Sequence, residues 1–413
     1  MTDVERWTLA NGMTILYRRD AGFPLASATL LFRAGSRQES HAEAGLCSMT
    51  IDLLLQGTRR HNARQIARVL ESVGASLGTQ AHEDFAEMGF VVPASEMDRV
   101  LDITAEVLQE PSFPPAEIVK EKAHVLASLA SRKDSIFNVA YDALNQAMYD
   151  EHPYGRPLEG RPETVKRFRR ADFKQWHGRH LRPERAIFSL VGPMPGKETA
   201  RLIEKHLSRW KGPRQLHPST PSSPLKGEER KVKQLMVRSH FKQAYLMLGF
   251  PAPEAAHPGQ IPLKVLNTLL GGGMSSRLFV SLREKLGLAY EVSSFYPTRQ
   301  DVSQWVIYLG LPAEKLETAS QRLEDLLQDL GRRGPPVKEL RQAQAMIRGA
   351  FLMDQQSRRR QAWYRAWWEF LGRGDRYGEE FLGAVDAVRP EDLLHAARQI
   401  LAQPRVTVMV VPK

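Results

Sequence analysis

The feature that most constrains this chain is a pattern that returns at long range. Residues 276–290 carry an amphipathic helical run, a glycine and a strand-like run, and the same succession stands 213 residues earlier. Phe279 corresponds to Ile66 (279 − 66 = 213), Leu282 to Val69, Glu284 to Glu71, Gly287 to Gly74 and Ala289 to Ser76. Pro312-Ala313 then opens a helix as Pro93-Ala94 does, at an offset of 219, so one loop is six residues longer in the second copy. Each copy runs to about 200 residues, enough to bury its own core, which makes the repeat a duplicated domain and not a solenoid of short units. A length of 413 residues fits two such lobes.

Local signals fill in each copy. Asn11-Gly12 between two apolar runs predicts a tight hairpin joining strands at 7–9 and 14–17. A strand at 25–32 follows, then helices at 44–56 and 63–73, strands at 76–80 and 85–92, and helices at 95–108, 115–131 and 138–148. His152-Pro153-Tyr154-Gly155-Arg156-Pro157 reads as a rigid turn, and a helix at 172–180, a strand at 186–191 and a helix at 197–210 close the copy. Strands before and after a run of helices predict an α+β layer with helices on one face. Residues 213–230, with Pro213, Pro218, Pro221 and Pro224, predict an extended linker between lobes at 1–212 and 231–413. In the second lobe, strands are expected at 235–238 and 244–250 and a helix at 262–270. Ser275 and Ser276 can cap a further helix whose Leu278, Phe279, Leu282 and Leu286 face a core, with Gly287 ending it before a strand at 288–294. Helices covering 337–370, 378–385 and 390–401 and a strand at 406–411 complete the chain.

The charge balance of +11 permits nucleic-acid binding, but the basic residues are spread over the whole length. Arg358-Arg359-Arg360 with Trp363, Trp367 and Trp368 is the densest mixture of cations and aromatics, and Trp363 and Trp367, four apart, read as one buried helix stripe. No nucleic-acid partner is expected. No window approaches the roughly 18 unbroken apolar residues of a membrane span, so no membrane role is expected. The acidic start Met1-Thr2-Asp3-Val4-Glu5 lacks the basic and apolar regions of a secretory signal, which points to the cytoplasm. The single cysteine, Cys47, excludes an internal disulfide framework and reads as a core residue.

Gly271-Gly272-Gly273 can take positive φ and admit another chain closely, as a peptide-contacting loop would. No Gly-Lys-Ser/Thr follows, so it is not a phosphate loop. The whole string from Leu270 through Phe279 to Tyr290 resembles the signature in the second half of the pitrilysin/insulinase-type zinc peptidases, which include the mitochondrial processing peptidase. In that family an Arg followed seven residues later by a Tyr touches substrate near the zinc, and Arg283 and Tyr290 stand at this spacing. The first helix of the family holds an inverted zinc motif, His-x-x-Glu-His, inside a frame that survives here as Gly45-Leu46, Leu54 and Gly57-Thr58. Its chemical positions do not survive: the two His positions are Ser48 and Asp52, the general-base position is Ile51, and the third ligand position falls at Ser128.

A catalytic zinc needs three protein ligands and an open position for water. Ser48 and Ser128 offer neutral hydroxyls, and Ile51 cannot accept a proton from that water. His177 with His180, and His82 with Glu83 and Asp84, have no helical Glu nearby to serve as a base and read as ordinary polar groups.

The resemblance covers essentially the whole chain. It implies two homologous lobes, each a mixed, mostly antiparallel sheet covered by helices, enclosing a chamber. It also implies a division of labour, since some heterodimers of the family bring zinc on one subunit and a glycine-rich loop or the Arg/Tyr pair on the other. The expectation is a non-catalytic, substrate-binding subunit of a heterodimeric zinc metallopeptidase, with no active centre and no cofactor of its own. Its partner would be a homologous subunit with an intact His-x-x-Glu-His and bound zinc, and Arg283 and Tyr290 would complete that subunit's site for peptide hydrolysis. The alternative is a peptidase-derived structural or peptide-binding protein, like the core subunits of the respiratory bc complex.

Overall fold

A computed structural model of the chain describes residues 4–212 and 232–413; the expected linker at 213–230 lies outside the described residues. The helices are α1 (Leu46–Leu53), α2 (Ala63–Ser72), α3 (Met97–Gln109), α4 (Pro115–Arg132), α5 (Ile136–Tyr149), α6 (Pro162–Arg167), α7 (Arg170–His180), α8 (Gly196–Leu207), α9 (Gln260–Gly271), α10 (Leu316–Arg333), α11 (Val337–Asp354), α12 (Arg358–Phe370), α13 (Tyr377–Asp386) and α14 (Pro390–Leu401). Among the described residues the strands form two sheets. The first joins β1 (Val4–Thr8), β2 (Thr14–Arg19), β6 (Ala186–Gly192), β3 (Leu25–Phe32), β5 (Ala86–Pro93) and β4 (Ser76–Ala81) in that spatial order. The second joins β7 (Lys233–Ser239), β11 (Val406–Pro412), β8 (Gln243–Ala252), β10 (Ser303–Pro312) and β9 (Glu291–Phe295).

The sheets repeat one another. In each, one pair is parallel, β2 with β6 and β7 with β11, and the other pairs are antiparallel. The mixed, mostly antiparallel α+β expectation is therefore met. Among the helices the repeat is closest in α11 and α12, which begin 222 residues after α4 and α5 (337 − 115 and 358 − 136).

The chain packs as two compact units, and they are not consecutive stretches. Unit 1 takes the chain up to Leu129, the stretch from Pro157 to the undescribed residues, and Asp354–Gly378. Unit 2 takes Ala130–Arg156, the residues from 232 to Met353, and Glu379–Lys413. Thus α5 of the first repeat belongs to unit 2 and its counterpart α12 belongs to unit 1, an exchange that the boundaries 1–212 and 231–413 do not contain. The physical cause is a sheet whose central strands are apolar on both faces. In unit 1 Ala26, Ala28, Leu30 and Phe32 of β3 join the large core cluster, while the alternate Ser27, Thr29 and Leu31 are also buried, on the face where α12 lies across β3 and β6. In unit 2 Ala140 and Leu144 of α5 cluster with Tyr245, Met247, Val306 and Val408.

Polar contacts fix both exchanged helices. Arg358 at the start of α12 donates to the carbonyls of Asp20, Phe23 and Leu25 at 2.9, 2.6 and 2.8 Å and pairs with the Asp20 carboxylate at 3.0 Å. At the other end Arg33 donates to the Phe370 carbonyl at 2.8 Å, supplying a cation where the helix leaves carbonyls unpaired. Trp363 donates to Glu87 at 2.9 Å and stacks on Trp367 with centroids 5.5 Å apart. The cation-aromatic run is thus engaged inside unit 1, as the helix-stripe reading expects. On α5, Tyr141 accepts from Gln304 at 2.8 Å, and the following turn is tied by His152 Nε2 to Asp301 at 3.1 Å.

One histidine in unit 1 makes the stability of the fold depend on pH. His180 is 1% exposed, lies tilted against Trp176 with centroids 4.8 Å apart, and neither ring nitrogen has a hydrogen-bond partner among the described residues. Burial, then the charges of Arg185 and Arg179, push it down to about 3 from an ordinary 6.5, so it is neutral at pH 7. The unfolded chain therefore takes up a proton that the folded chain refuses, and stability is lost as pH falls from about 6.5 toward 3. His180→Phe should remove this component: the drop in urea midpoint between pH 7 and pH 4.5 should be smaller in the variant. Equal drops would assign the acid sensitivity to other groups.

Candidate functional site

Two stretches carry the candidate chemistry, one in each unit. In unit 1 the loop before α1 turns through Gly45, and the Glu39 carboxylate accepts from the backbone N–H groups of Gly45 and Cys47 at 3.1 and 2.5 Å, capping the helix. Helix α1 then presents Ser48, Ile51 and Asp52. Ile51 is 1% exposed and packs in the core, Ser48 is buried, and the Ser48 hydroxyl donates to Asp52 Oδ2 at 3.4 Å. Ser128, on α4, is exposed.

The surroundings of Asp52 are acidic. Burial, then the Glu121 carboxylate, push Asp52 up to about 6, with Glu159 adding to the rise while Ser48 and His124 oppose it. Glu121 is itself raised by burial. The sequence frame directs attention to Ser128 on α4, but the α4 residues whose charges reach Asp52 are Glu121 and His124, two turns and one turn earlier; nothing local in the sequence marks them. Among the described residues, no group of three or more His, Cys, Asp or Glu side chains is placed to hold a metal ion. One carboxylate paired with a serine hydroxyl does not fit the three-ligand zinc set. His177 Nε2 donates to the Leu108 carbonyl at 2.8 Å, His180 is sealed in the core, and His82 stacks on Phe85 at 4.2 Å, so these histidines are packed side chains.

In unit 2 the glycine-rich stretch follows α9. Gly271 is buried, Gly272 exposed and Gly273 half-buried, and none of the three has positive φ. The expected left-handed turn comes later, at Gly287, with φ +54. What demands glycine at 271 is close approach, because a Cβ there would meet the Ser294 backbone nitrogen at 2.2 Å. The Ser276 hydroxyl does not cap the next helix as expected; it is buried without a partner among the described residues. The helix is wound as a π-helix over Phe279–Lys285, which widens the turn. Leu278 and Leu282 reach the core, but the wider winding breaks the 3.6-residue register and Leu286 is left 49% exposed, a correction to its expected burial.

Arg283 and Tyr290 both lie in unit 2 and both are exposed. Arg283 stacks over the Phe279 ring at 4.9 Å and makes no ion pair among the described residues. Tyr290 donates its hydroxyl to Gln243 Oε1. Its ring rests on the backbone of Gly310, where a Cβ would come within 2.9 Å of the Tyr290 hydroxyl. Burial, then the Glu291 carboxylate, raise the phenol above its ordinary pKa, so it is a hydrogen-bond donor at neutral pH. No hydrogen bond or ring contact joins Arg283 to Tyr290 among the described residues.

The raised Asp52 provides a test that a bound metal would reverse. A carboxyl whose folded pKa lies above its unfolded value stabilises the fold below the unfolded value of 3.8, and that contribution is lost as pH rises through about 6. Asp52→Asn should therefore be more stable than wild type at pH 7.5, by on the order of 2 kcal/mol, and near equal at pH 4, in urea unfolding. A zinc ion liganded by Asp52 would make the same substitution destabilising at pH 7.5. Elemental analysis of the purified chain should agree, with no stoichiometric zinc.

Comparison with known proteins places the chain. The profile described as "Insulinase (Peptidase family M16)" matches residues 14–161, and that described as "Peptidase M16 inactive domain" matches residues 167–347. An uncharacterized zinc protease of Bacillus subtilis is 26% identical over 409 residues, covering 99% of this chain and 98% of the relative. An uncharacterized zinc protease of Mycobacterium bovis is 27% identical over 410 residues, covering 96% of this chain and 91% of the relative. Among solved structures, the peptidase M16 inactive domain from Pseudomonas fluorescens superposes with a TM-score of 0.91 at 24% identity, covering 100% of this chain and 98% of that one. A protease from Helicobacter pylori superposes with a TM-score of 0.92 at 22% identity, and each chain covers 100% of the other. Fold and repeat, the frame around Ser48 and Asp52, and both profiles agree, and the chain belongs to the M16 family of insulinase-type peptidases.

Proposed function

We propose that this chain is the non-catalytic, substrate-binding subunit of a heterodimeric zinc metallopeptidase. In this reading Arg283 and Tyr290 are presented to the zinc site of a homologous subunit that carries an intact His-x-x-Glu-His, and Gly271, Gly272 and Gly273 contact the peptide. One contrast carries the proposal. The four metal and base positions hold Ser48, Ile51, Asp52 and Ser128, which cannot assemble zinc chemistry, while Arg283 remains exposed with no ion pair among the described residues. The inactive-domain match and the zinc-protease relatives support a peptidase-like role.

The chemistry asked of the two residues is separable from the metal. The partner's zinc supplies the activated water. The Arg283 guanidinium can hold a peptide carbonyl as it becomes an oxyanion, and the Tyr290 hydroxyl can add a donor by exchanging Gln243 for substrate. A second reading, a structural or peptide-binding protein without catalytic role, is favoured by that same bond, since a tyrosine seated on Gly310 and bound to Gln243 is already satisfied.

Turnover by the assembled complex separates the two readings. Arg283→Ala and Tyr290→Phe should each leave folding and association intact, because both side chains are exposed. Loss of a preorganised donor at a developing oxyanion should lower peptide hydrolysis by on the order of 3 kcal/mol, a hundredfold or more. If both variants associate normally on gel filtration and the rate moves less than about threefold, the structural reading replaces the catalytic-helper one.

A further inference from the structure

A cavity of about 440 Å³ opens in unit 1 between the loop that leads into α1 and the face of α7 together with the α6–α7 junction. Arg167, Arg169 and Arg179 line it together with Glu43 and Asp172. The two carboxylates are already committed. Glu43 Oε1 accepts from Arg179 Nη1 at 3.0 Å, and its other oxygen accepts from the Ser40 backbone N–H and hydroxyl at 3.1 and 2.9 Å. Asp172 accepts from the Arg169 backbone N–H at 2.6 Å as the cap of α7.

The cations are not committed to the same degree. Arg167 uses one Nη2 donor on the Ala42 carbonyl at 3.1 Å. The Arg169 guanidinium has no hydrogen bond or ion pair among the described residues, and both side chains are exposed. The surrounding segment deepens the imbalance, with seven Arg and Lys against two acids across residues 161–179. Guanidinium groups stay charged at every physiological pH, so the like charges that share this cavity repel one another unless an anion lies between them. The planar fork of Arg pairs bidentately with carboxylate and phosphate oxygens. The volume is that of a small-molecule site and not of a folded partner.

We propose that this cavity binds a small, multiply charged oxyanion, phosphate- or carboxylate-bearing, held by Arg167 and Arg169 with Arg179 behind them. The site uses none of the residues assigned above to peptide hydrolysis, so it stands or falls independently of that function.

Calorimetric titration of the full chain at roughly physiological ionic strength, where nonspecific surface attraction is screened, tests the proposal with sodium pyrophosphate and with citrate. Saturable one-to-one binding of at least one of them is expected. The Arg167→Ala/Arg169→Ala double variant should bind at least about tenfold more weakly, having lost charge-assisted bonds, with unchanged circular dichroism. Arg332→Ala, an exposed arginine elsewhere, should bind as wild type. Pyrophosphate without citrate would identify a phosphate-bearing ligand, and both together a general polyanion site; either supports the proposal. It is overturned if neither anion saturates, if the double variant binds as tightly as wild type, or if Arg332→Ala weakens binding equally. An acidic peptide that binds where neither small anion does would also overturn it, replacing a small ligand with a macromolecular one.

Discussion

Two sheets with apolar central strands on both faces set the terms for everything else in this chain. Such a sheet needs a cover on each side, and a repeat of about 200 residues supplies helices mainly for one. The second cover is exchanged: α12 lies on the sheet of unit 1 and α5 on the sheet of unit 2. Neither contiguous half of the sequence therefore contains both covers of its own sheet. The anchoring contacts follow the same logic. Arg358 and Arg33 hold the two ends of α12, and Tyr141 with the His152 turn holds α5. These buried and half-buried polar contacts orient the helices, while the apolar clusters supply most of the driving force.

On this scaffold α1 is a packing element. Ile51 completes the core, Ser48 bonds Asp52, and at Asp52 burial and the charges of Glu121 and Glu159 outweigh the opposing effects of Ser48 and His124. A carboxyl in that setting takes a raised pKa, whereas a resident zinc would hold it ionised. The glycine-rich stretch of the second repeat has kept a backbone requirement of a different kind. Gly271 is held by the proximity of Ser294, and the π-winding that follows turns Leu286 and Arg283 outward while Leu278 and Leu282 remain inside.

Signals that act within a few residues were legible in the sequence. Asn11-Gly12 marks the hairpin between β1 and β2, though β1 runs Val4–Thr8 against an expected 7–9; the run from Leu25 to Phe32 marks β3, and Pro390 with its acids marks the start of α14, both with the observed bounds close to those expected. The strand Ser303–Pro312 is less legible, because its run Trp305-Val306-Ile307-Tyr308-Leu309 is buried almost throughout and shows no alternation that would separate it from a helix. The winding of Phe279–Lys285 was not legible either. A π-turn differs from an α-turn by one residue per hydrogen-bonded ring, and no residue type announces it.

The sequence by itself determined the duplication, the α+β class, the family frame and the residue types at positions 48, 51, 52 and 128, because each depends on which residues occur and at what spacing. Tertiary structure alone decided which helix covers which sheet, which carboxylates surround Asp52, how Tyr290 is seated on Gly310, and that Arg167, Arg169 and Arg179 share one cavity. Those outcomes join residues far apart in the chain or depend on burial, and local propensity carries no information about either.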